Sequence, residues 1–338
     1  MKSVVVTAPG TLETIEISTP EFGPRDLLVR MKACGICGAD PHALEQGHIV
    51  PGAPLSHLGH EPAGEVVEVG AEVTGAQVGD RVVFDPTKVP DAIIGGGGPQ
   101  GALSEFVAVR EAVAGFNFMV FPDTVPWHVA ALSEPIAVAR RAVDRTHPKP
   151  EHKVIIFGAG PVGLGALLAF RHYGVAHITV ADVQPNRLET ALKLGANAVI
   201  NSAQEDVRAR LVELHGTGTD AFHRPGLPDT DIYLDAAGVP SVAEIVFAGP
   251  KQGAVYGIVA IHRKPLVMDS QMLIPSELTI VHSMGHPEEM FAVTQDIIEH
   301  TDDYALIVSD VIPFDRVAEA IDLAGRPGAT SKVVVSFD

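Results

Sequence analysis

From residue 3 to about residue 110, the hydrophobic positions come in short valine-rich runs separated by Gly, Pro and Asp. Runs of four to seven residues with this punctuation are typical of the strands of a β-barrel or β-sandwich. A Gly-Asp turn at residues 79–80 directly precedes one of these runs and predicts a strand there. The runs are VVVTA, LLVRMKA, GEVVEVG, DRVVFD and LSEFVAV.

A tract from Pro86 to Gly101 interrupts this pattern and contains four consecutive glycines, Gly95 to Gly98. No strand or helix period runs through it, and nothing around it suggests phosphate binding. The sequence predicts a flexible surface loop here.

After Trp127 the hydrophobic period changes from that of strands to that of helices. Residues 128–145 have the apolar spacing of a helix, with Pro135 as a kink or boundary. Between residues 154 and 260, strand-like runs such as VIIF and HITVAD alternate with helical ones such as NRLETALKLG. This alternation predicts a doubly wound parallel sheet, and residues beyond 284 return to mixed α+β character. The fold class is therefore α/β, with two domains.

Composition and charge narrow the class of protein. The chain has 338 residues, of which 46% are hydrophobic and 20% charged, as in globular proteins. A net charge of −18 argues against a surface that binds nucleic acid. Two cysteines are too few for a secreted fold that depends on disulfide bonds. The N-terminus lacks a signal-peptide pattern, and the longest uncharged run, Val154 to Phe170, is short for a membrane span. We expect a cytoplasmic protein without a membrane partner.

A GxGxxG motif at residues 158–163 lies between the strand VIIF and an apolar helical segment, which is the context that a dinucleotide-binding turn requires. Gly158 would permit the tight turn, Gly160 would let a pyrophosphate approach the backbone, and Gly163 would let helix and strand pack closely. The phosphates would lie at the N-terminus of the helix. This motif predicts a Rossmann domain.

Asp182 ends the second strand of this domain, where a carboxylate can accept hydrogen bonds from the adenosine ribose. Because it would repel a 2′-phosphate, it favours NAD over NADP. Arg187 could favour NADP, but beside Asn186 we expect it to be solvated. A methyltransferase shares these features but has no use for the cluster described next. The expected cofactor-binding residues are Gly158, Gly160, Pro161, Val162, Gly163, Asp182 and Arg187.

The stretch from Cys34 to Glu61 holds both cysteines and several histidines, and its Gly and Pro residues exclude one long helix or strand. The CxxC of Cys34 and Cys37 lacks the second pair that a structural zinc site needs, and it does not open a helix as a thioredoxin motif does. A catalytic zinc with mixed ligands is the remaining hypothesis. Composition alone cannot choose among its histidines, which are His42, His48, His57 and His60.

Three motifs resemble the zinc-dependent medium-chain alcohol dehydrogenase family: CGICGADPH at 34–42, GHE at 59–61 and GDRV at 79–82. The similarity continues through the glycine motif and Asp182, so it covers essentially the whole chain. The resemblance implies a GroES-like catalytic domain (1–136 and 285–338), an inserted Rossmann domain (137–284), and a catalytic zinc between them.

The resemblance also implies the ligands of that zinc. Cys37 and His60 match the family's cysteine and histidine ligands, and Glu61 is a ligand or an alternating neighbour of the metal. Glu134 stands where classical alcohol dehydrogenases have cysteine and the polyol and sugar branch has glutamate. Thr87 to Gln100 lacks the cysteines of the family's structural zinc, so one zinc per chain is expected.

Ala39 departs from the family pattern, because members usually carry Ser or Thr there to begin a proton relay toward the histidine matched by His42. Water, another hydroxyl, or Glu61 or Glu134 would take the proton instead, which makes His42, Glu61 and Glu134 the expected catalytic residues. One thiolate and two carboxylates around Zn²⁺ give a formal charge of −1. We expect this set to provide its own proton acceptor.

The implied activity is hydride transfer between NAD(H) and a secondary alcohol, a polyol or a sugar, with zinc as the Lewis acid. Two other classes stay open at this point: a zinc-free quinone or enone reductase of the same fold, and a non-catalytic NAD-binding protein. The family also implies a homodimer or homotetramer that associates through its Rossmann sheets.

Overall fold

The computed structural model describes residues 1–51, 55–90, 93–286, 288–326 and 328–337. The chain divides into two compact units, which are described separately. The first unit consists of Met1–Pro135 together with Met290–Asp338, and the second is Ile136–Glu289.

The strands, in chain order, are β1 (Lys2–Ala8), β2 (Thr11–Glu16), β3 (Leu27–Gly35), β4 (Ser56–His57), β5 (Glu61–Val69), β6 (Arg81–Phe84), β7 (Phe106–Val109), β8 (Phe118–Val120), β9 (Lys153–Phe157), β10 (His177–Asp182), β11 (Ala198–Asn201), β12 (Thr217–Gly218), β13 (Leu227–Pro228), β14 (Ile232–Asp235), β15 (Val255–Ile258), β16 (Thr279–His282), β17 (Val308–Pro313) and β18 (Lys332–Ser336). The α-helices are α1 (Ala39–Gln46), α2 (Trp127–Ala130), α3 (Ser133–Asp144), α4 (Pro161–His172), α5 (Pro185–Lys193), α6 (Val207–His215), α7 (Pro240–Phe247), α8 (Ser270–Leu273), α9 (Met290–Glu299), α10 (Thr301–Ala305) and α11 (Val317–Gly325).

The first unit is built on a largely antiparallel sheet. Its strand order is β17-β18-β3-β5-β6-β8, with β7 also paired to β3, and a separate small sheet has the order β2-β1-β4. The valine-rich runs supply the core, since Val4, Val29, Val66 and Val82 are fully buried. Strand β3 pairs with both β5 and β18, so it joins the N-terminal part of this unit to the C-terminal end of the chain.

The second unit contains a parallel sheet with strand order β11-β10-β9-β14-β15-β16 among the described residues. Strand β9 therefore lies at the centre, and the chain steps outward first to one side and then to the other. This is the strand order of the dinucleotide-binding doubly wound fold. Val154, Ile155 and Ile156 of β9 are fully buried, as expected for a strand covered on both faces.

The helical region after Trp127 is divided near Pro135, where the sequence predicts a kink or a helix boundary. Helix α2 ends at Ala130 and α3 begins at Ser133. Pro135 lies in the first turn of α3, where its missing N–H removes no intrahelical hydrogen bond. The break therefore follows from the proline and places Glu134 in the first turn of a helix.

The helices in the described part of the chain are all too short or too polar to cross a membrane.

Candidate metal centre and nucleotide site

Three side chains of the first unit form a group suited to a metal ion. One ligand atom each from Cys37, His60 and Glu61 lies within 4.8 Å of the others. The sheet explains their proximity, because Gly35 at the end of β3 pairs with Glu61 at the start of β5. Cys37 follows β3 and His60 precedes β5, so the antiparallel register brings both to the same edge.

Asp40 ties the two ligand-bearing segments together. Its carboxylate accepts hydrogen bonds from the backbone N–H of Cys37 (2.9 Å) and of Gly59 (3.2 Å), and its side chain is buried. Each N–H belongs to a ligand or to its immediate neighbour, so Asp40 fixes the spacing of Cys37 and His60. Sequence reasoning gave Asp40 no role. The only signal was an acidic residue three positions after a cysteine.

The glycine tract at 95–98 is a loop, as predicted, but it is partly buried beside this centre and does not lie wholly at the surface. A Cβ on Gly95 would lie 1.9 Å from the carbonyl oxygen of Gly59. Gly59 has φ +88°, and a Cβ there would lie 2.5 Å from the backbone nitrogen of Leu103. These glycines let two backbone segments, at Gly95 and at Leu103, pack directly against the residue that precedes His60.

Glu134 lies close to the group but is not one of its three members. It is 8% exposed in the first turn of α3, and its charge acts on both His60 and Glu61. The structure thus brings Glu134 toward the metal group from about seventy residues away.

The electrostatics of the group favour a bound cation. Burial lowers the pKa of His60, but the sulfur of Cys37 and two nearby carboxylates outweigh burial and hold this pKa well above its usual value. Burial raises the pKa of Glu61, and an ion pair with Lys332 opposes this shift without cancelling it. Glu61 Oε1 is buried without a hydrogen-bond partner among the described residues. Sulfur, imidazole and carboxylate donors crowded in this way form a donor set that fits zinc.

The remaining candidates of the Cys34–Glu61 stretch lie outside the group. Cys34 is fully buried in β3, where burial raises the pKa of its thiol well above the usual range, so it remains a neutral packing residue. His42 lies on α1 with a half-exposed side chain, 3.4 Å from a carboxylate oxygen of Glu45. His57 Nδ1 is hydrogen-bonded to the hydroxyl of Ser3. Residues 52–54 of the Cys34–Glu61 stretch lie outside the described part of the chain.

The glycine motif of the second unit has the predicted geometry. Gly158 has φ +95°, the conformation that the tight turn requires. A Cβ on Gly163 would lie 1.7 Å from the carbonyl oxygen of Gly158, so this glycine permits close packing. A Cβ on Gly160 would meet nothing within 4 Å, and Gly160 is the N-cap of α4 without a capping side chain. Packing does not require glycine at 160, and the open space at a helix N-terminus fits a pyrophosphate.

Asp182 lies at the carboxyl end of β10, beside that motif. Its carboxylate accepts hydrogen bonds from the backbone N–H of Ala159 (2.7 Å) and of Gln184 (2.8 Å). Arg187 Nη1 lies 3.9 Å from Asp182 Oδ2, and its side chain is only 20% exposed. The expectation that Arg187 is solvated was therefore wrong. The first turn of α5 points it back toward the strand end.

Comparisons with known proteins identify the family of this chain. The model of the alcohol dehydrogenase GroES-like domain matches residues 23–115, and that of the zinc-binding dehydrogenase matches residues 161–299. A sorbitol dehydrogenase of Bacillus subtilis (strain 168) is 31% identical over 280 residues, which are 77% of this chain and 75% of that protein. The chain belongs to the zinc-dependent alcohol dehydrogenase family.

Solved structures of this family extend over the whole chain. The 2R,3R-butanediol dehydrogenase of Bacillus subtilis is 27% identical with a TM-score of 0.86, covering 100% of this chain and 99% of that one. An alcohol dehydrogenase of Escherichia coli CFT073 in complex with NADH is 26% identical with a TM-score of 0.84, covering 100% and 99%. The predicted family, its polyol-type branch, the GroES-like and Rossmann folds, and the enzyme class of zinc- and nicotinamide-dependent alcohol or polyol dehydrogenases are confirmed.

Proposed function

We propose that this chain exchanges a hydride between NAD(H) and a secondary alcohol, polyol or sugar, and that Cys37, His60, Glu61 and Glu134 form its zinc site. The observation that carries the proposal is the group of three ligand atoms within 4.8 Å, with the charge of Glu134 beside it. Zinc supplies a Lewis acid for the substrate oxygen when it is bound.

The roles of the side chains follow from their positions. Cys37 and His60 are fixed by Asp40 and serve as binding groups. Glu61 within the metal group and Glu134 beside it are both buried carboxylates, so either can hold the proton that leaves the substrate hydroxyl. Ala39 supplies no hydroxyl, which makes a carboxylate the first proton acceptor. His42, half-exposed on α1, then passes the proton to solvent.

We assign the cofactor to Gly158, Gly160, Pro161, Val162 and Gly163, with Asp182 and Arg187 at the adenosine end. The open space at Gly160 and the uncapped start of α4 support a pyrophosphate there. The Asp182 carboxylate supports NAD over NADP, because a 2′-phosphate would meet its negative charge. NADH and NADPH fluorescence titrations measure this preference.

Metal analysis and turnover test the function together. We expect one zinc per chain and NAD reduction with at least one member of a panel of polyols, vicinal diols and secondary alcohols. A folded chain without zinc that reduces quinones or enones would favour the zinc-free reductase instead. A chain that binds zinc and NADH yet oxidises no alcohol in the panel would contradict the proposed activity.

We also propose that the chain forms a homodimer or homotetramer through its Rossmann sheet. Strand β16 ends the described sheet, and nearby Ile261, Val267 and Met284 are more than four-fifths exposed. Such apolar side chains near a sheet edge are typical of an interface. Light scattering coupled to size exclusion would measure the mass, and a monomer at micromolar concentration would contradict the proposal.

A further inference from the structure

Lys332 is a buried lysine in the metal centre that sequence analysis did not single out. It lies at the start of β18, is 2% exposed, and forms an ion pair with Glu61. Its ammonium also donates a hydrogen bond to the carbonyl oxygen of Ile36 at 2.8 Å. A lysine is buried at a high energetic cost unless it has partners, and these two contacts place it beside the ligand set.

The sheet is built to let this pair form. Strand β3 runs between β5 and β18, with Gly35 paired to Glu61 on one side and to Val334 on the other. A Cβ on Gly35 would lie 1.8 Å from Glu61 Oε2 and 2.9 Å from Lys332 Cε. Gly35 is not in the left-handed region, so glycine is needed here for space. The two side chains meet in the volume that any other residue at 35 would fill.

The two oxygens of Glu61 then have different surroundings. Both oxygens are buried and neither has a geometrically regular hydrogen bond among the described residues, but Oε2 forms the ion pair with Lys332. A carboxylate held by one oxygen can present the other to a metal in a fixed direction.

We propose that Lys332 is a positioning residue that holds Glu61 in the zinc ligand set through the space left by Gly35. This inference rests on the zinc site of the proposed function. Cys37, Glu61 and Glu134 carry three formal negative charges against two on zinc, and Lys332 supplies the remaining positive charge. The charge of −1 expected from the ligands alone thus becomes zero for the site as a whole.

The test compares zinc affinities by chelator competition in folded protein. Lys332→Met keeps the length of the side chain without its charge, and we expect zinc affinity to fall by about 10- to 100-fold, the range for partners that orient a ligand. Gly35→Ala should give a similar loss, because it displaces the same pair. Lys32→Met is the matched control: Lys32 lies on β3 and pairs with Glu65 at 3.8 Å at the surface, so its affinity should equal that of the wild type.

A double-mutant cycle separates positioning from a general structural effect. If Lys332 acts through Glu61, then Glu61→Gln should cost no further affinity once Lys332→Met is present. The double variant also removes both buried charges together, so it should fold even where the single lysine variant does not. Unchanged affinity in Lys332→Met, or losses that add in the cycle, would overturn the inference. If the wild type itself lacks zinc, the proposed zinc site fails instead.

Discussion

The residues assigned to the nucleotide lie in one stretch of the second unit, between Gly158 and Arg187. Most of that site is formed by the conformation of the backbone. The residues around the metal group come from distant parts of the first unit, from Gly35 to Lys332, and side-chain charges hold them together. The contiguous site is therefore sensitive, in folding or in cofactor binding, to a Cβ added within one short turn. A dispersed site is vulnerable to the loss of single polar atoms, because each fixes a separate segment.

The sharpest way to break the dispersed site is to remove one ligand. We expect Cys37→Ala to lose its zinc and to lower kcat/KM by more than about 100-fold, beyond the range for residues that only orient a ligand. Elemental analysis and steady-state kinetics measure both effects. Cys34→Ala is the control from the same CxxC motif, because Cys34 is buried in β3 outside the ligand group. It should lower thermal stability but retain one zinc per chain. Equal zinc loss in both variants would mean that the assignment of Cys37 is wrong.

Glu134 tests whether a residue outside the three-member group shares its function. Glu134→Gln keeps the shape of the side chain but removes its charge, and we expect alcohol oxidation at neutral pH to fall by about 10- to 100-fold. Zinc content should be measured together with the rate. Loss of a zinc ligand lowers the zinc content, whereas loss of a proton acceptor leaves it unchanged. An unchanged rate would exclude a catalytic role.

Asp144→Asn is the matched control for that change. Asp144 ends the same helix α3, and its carboxylate accepts hydrogen bonds from Arg140 and Tyr173. Like Glu134→Gln, this substitution removes one negative charge from helix α3, but at a position away from His60. Zinc content and kcat should therefore equal those of the wild type. A comparable loss would mean that the effect of Glu134 acts through the stability of the helix.

The same contrast explains what could be predicted from the sequence. The geometry of the turn assigned to the nucleotide could be predicted, because GxGxxG encodes a backbone shape within six residues and Asp182 follows at a fixed distance. The ligands of the metal site were reached only through resemblance. Asp40 and Lys332 were missed, because an acidic residue three positions after a cysteine is only a weak signal and a lysine reaching across β3 leaves no local pattern. The glycines at 95 and 59 also meet only in the fold.

The glycine motif allows folding to be separated from cofactor binding within one turn. Gly163→Ala would place a Cβ 1.7 Å from a backbone oxygen, so we expect the free energy of unfolding to fall by about 1–3 kcal/mol or more. Gly160→Ala meets no protein atom within 4 Å, so stability should hold while NADH affinity falls by about tenfold. Thermal melts and NADH titrations measure the two effects. Equal destabilisation by both would contradict the assignment of Gly160 to the pyrophosphate.

The smallest change expected concerns the preference between NAD and NADP. Within the contiguous site, we expect a side chain, and not the backbone, to set this preference. Asp182→Asn should weaken NADH binding by a few-fold and strengthen NADPH binding, because Arg187 lies 3.9 Å from the carboxylate and can then meet a 2′-phosphate. Adding Arg187→Gln should abolish the gain for NADPH while leaving NADH binding at the level of the single variant. Asp182 accepts one backbone hydrogen bond on each carboxylate oxygen, from Ala159 and from Gln184. Asparagine has a single side-chain oxygen and can accept only one of them, so a thermal melt must accompany each titration. If NADPH binds no better to Asp182→Asn than to the wild type, the charge of Asp182 does not set the preference, and the shape of the turn does.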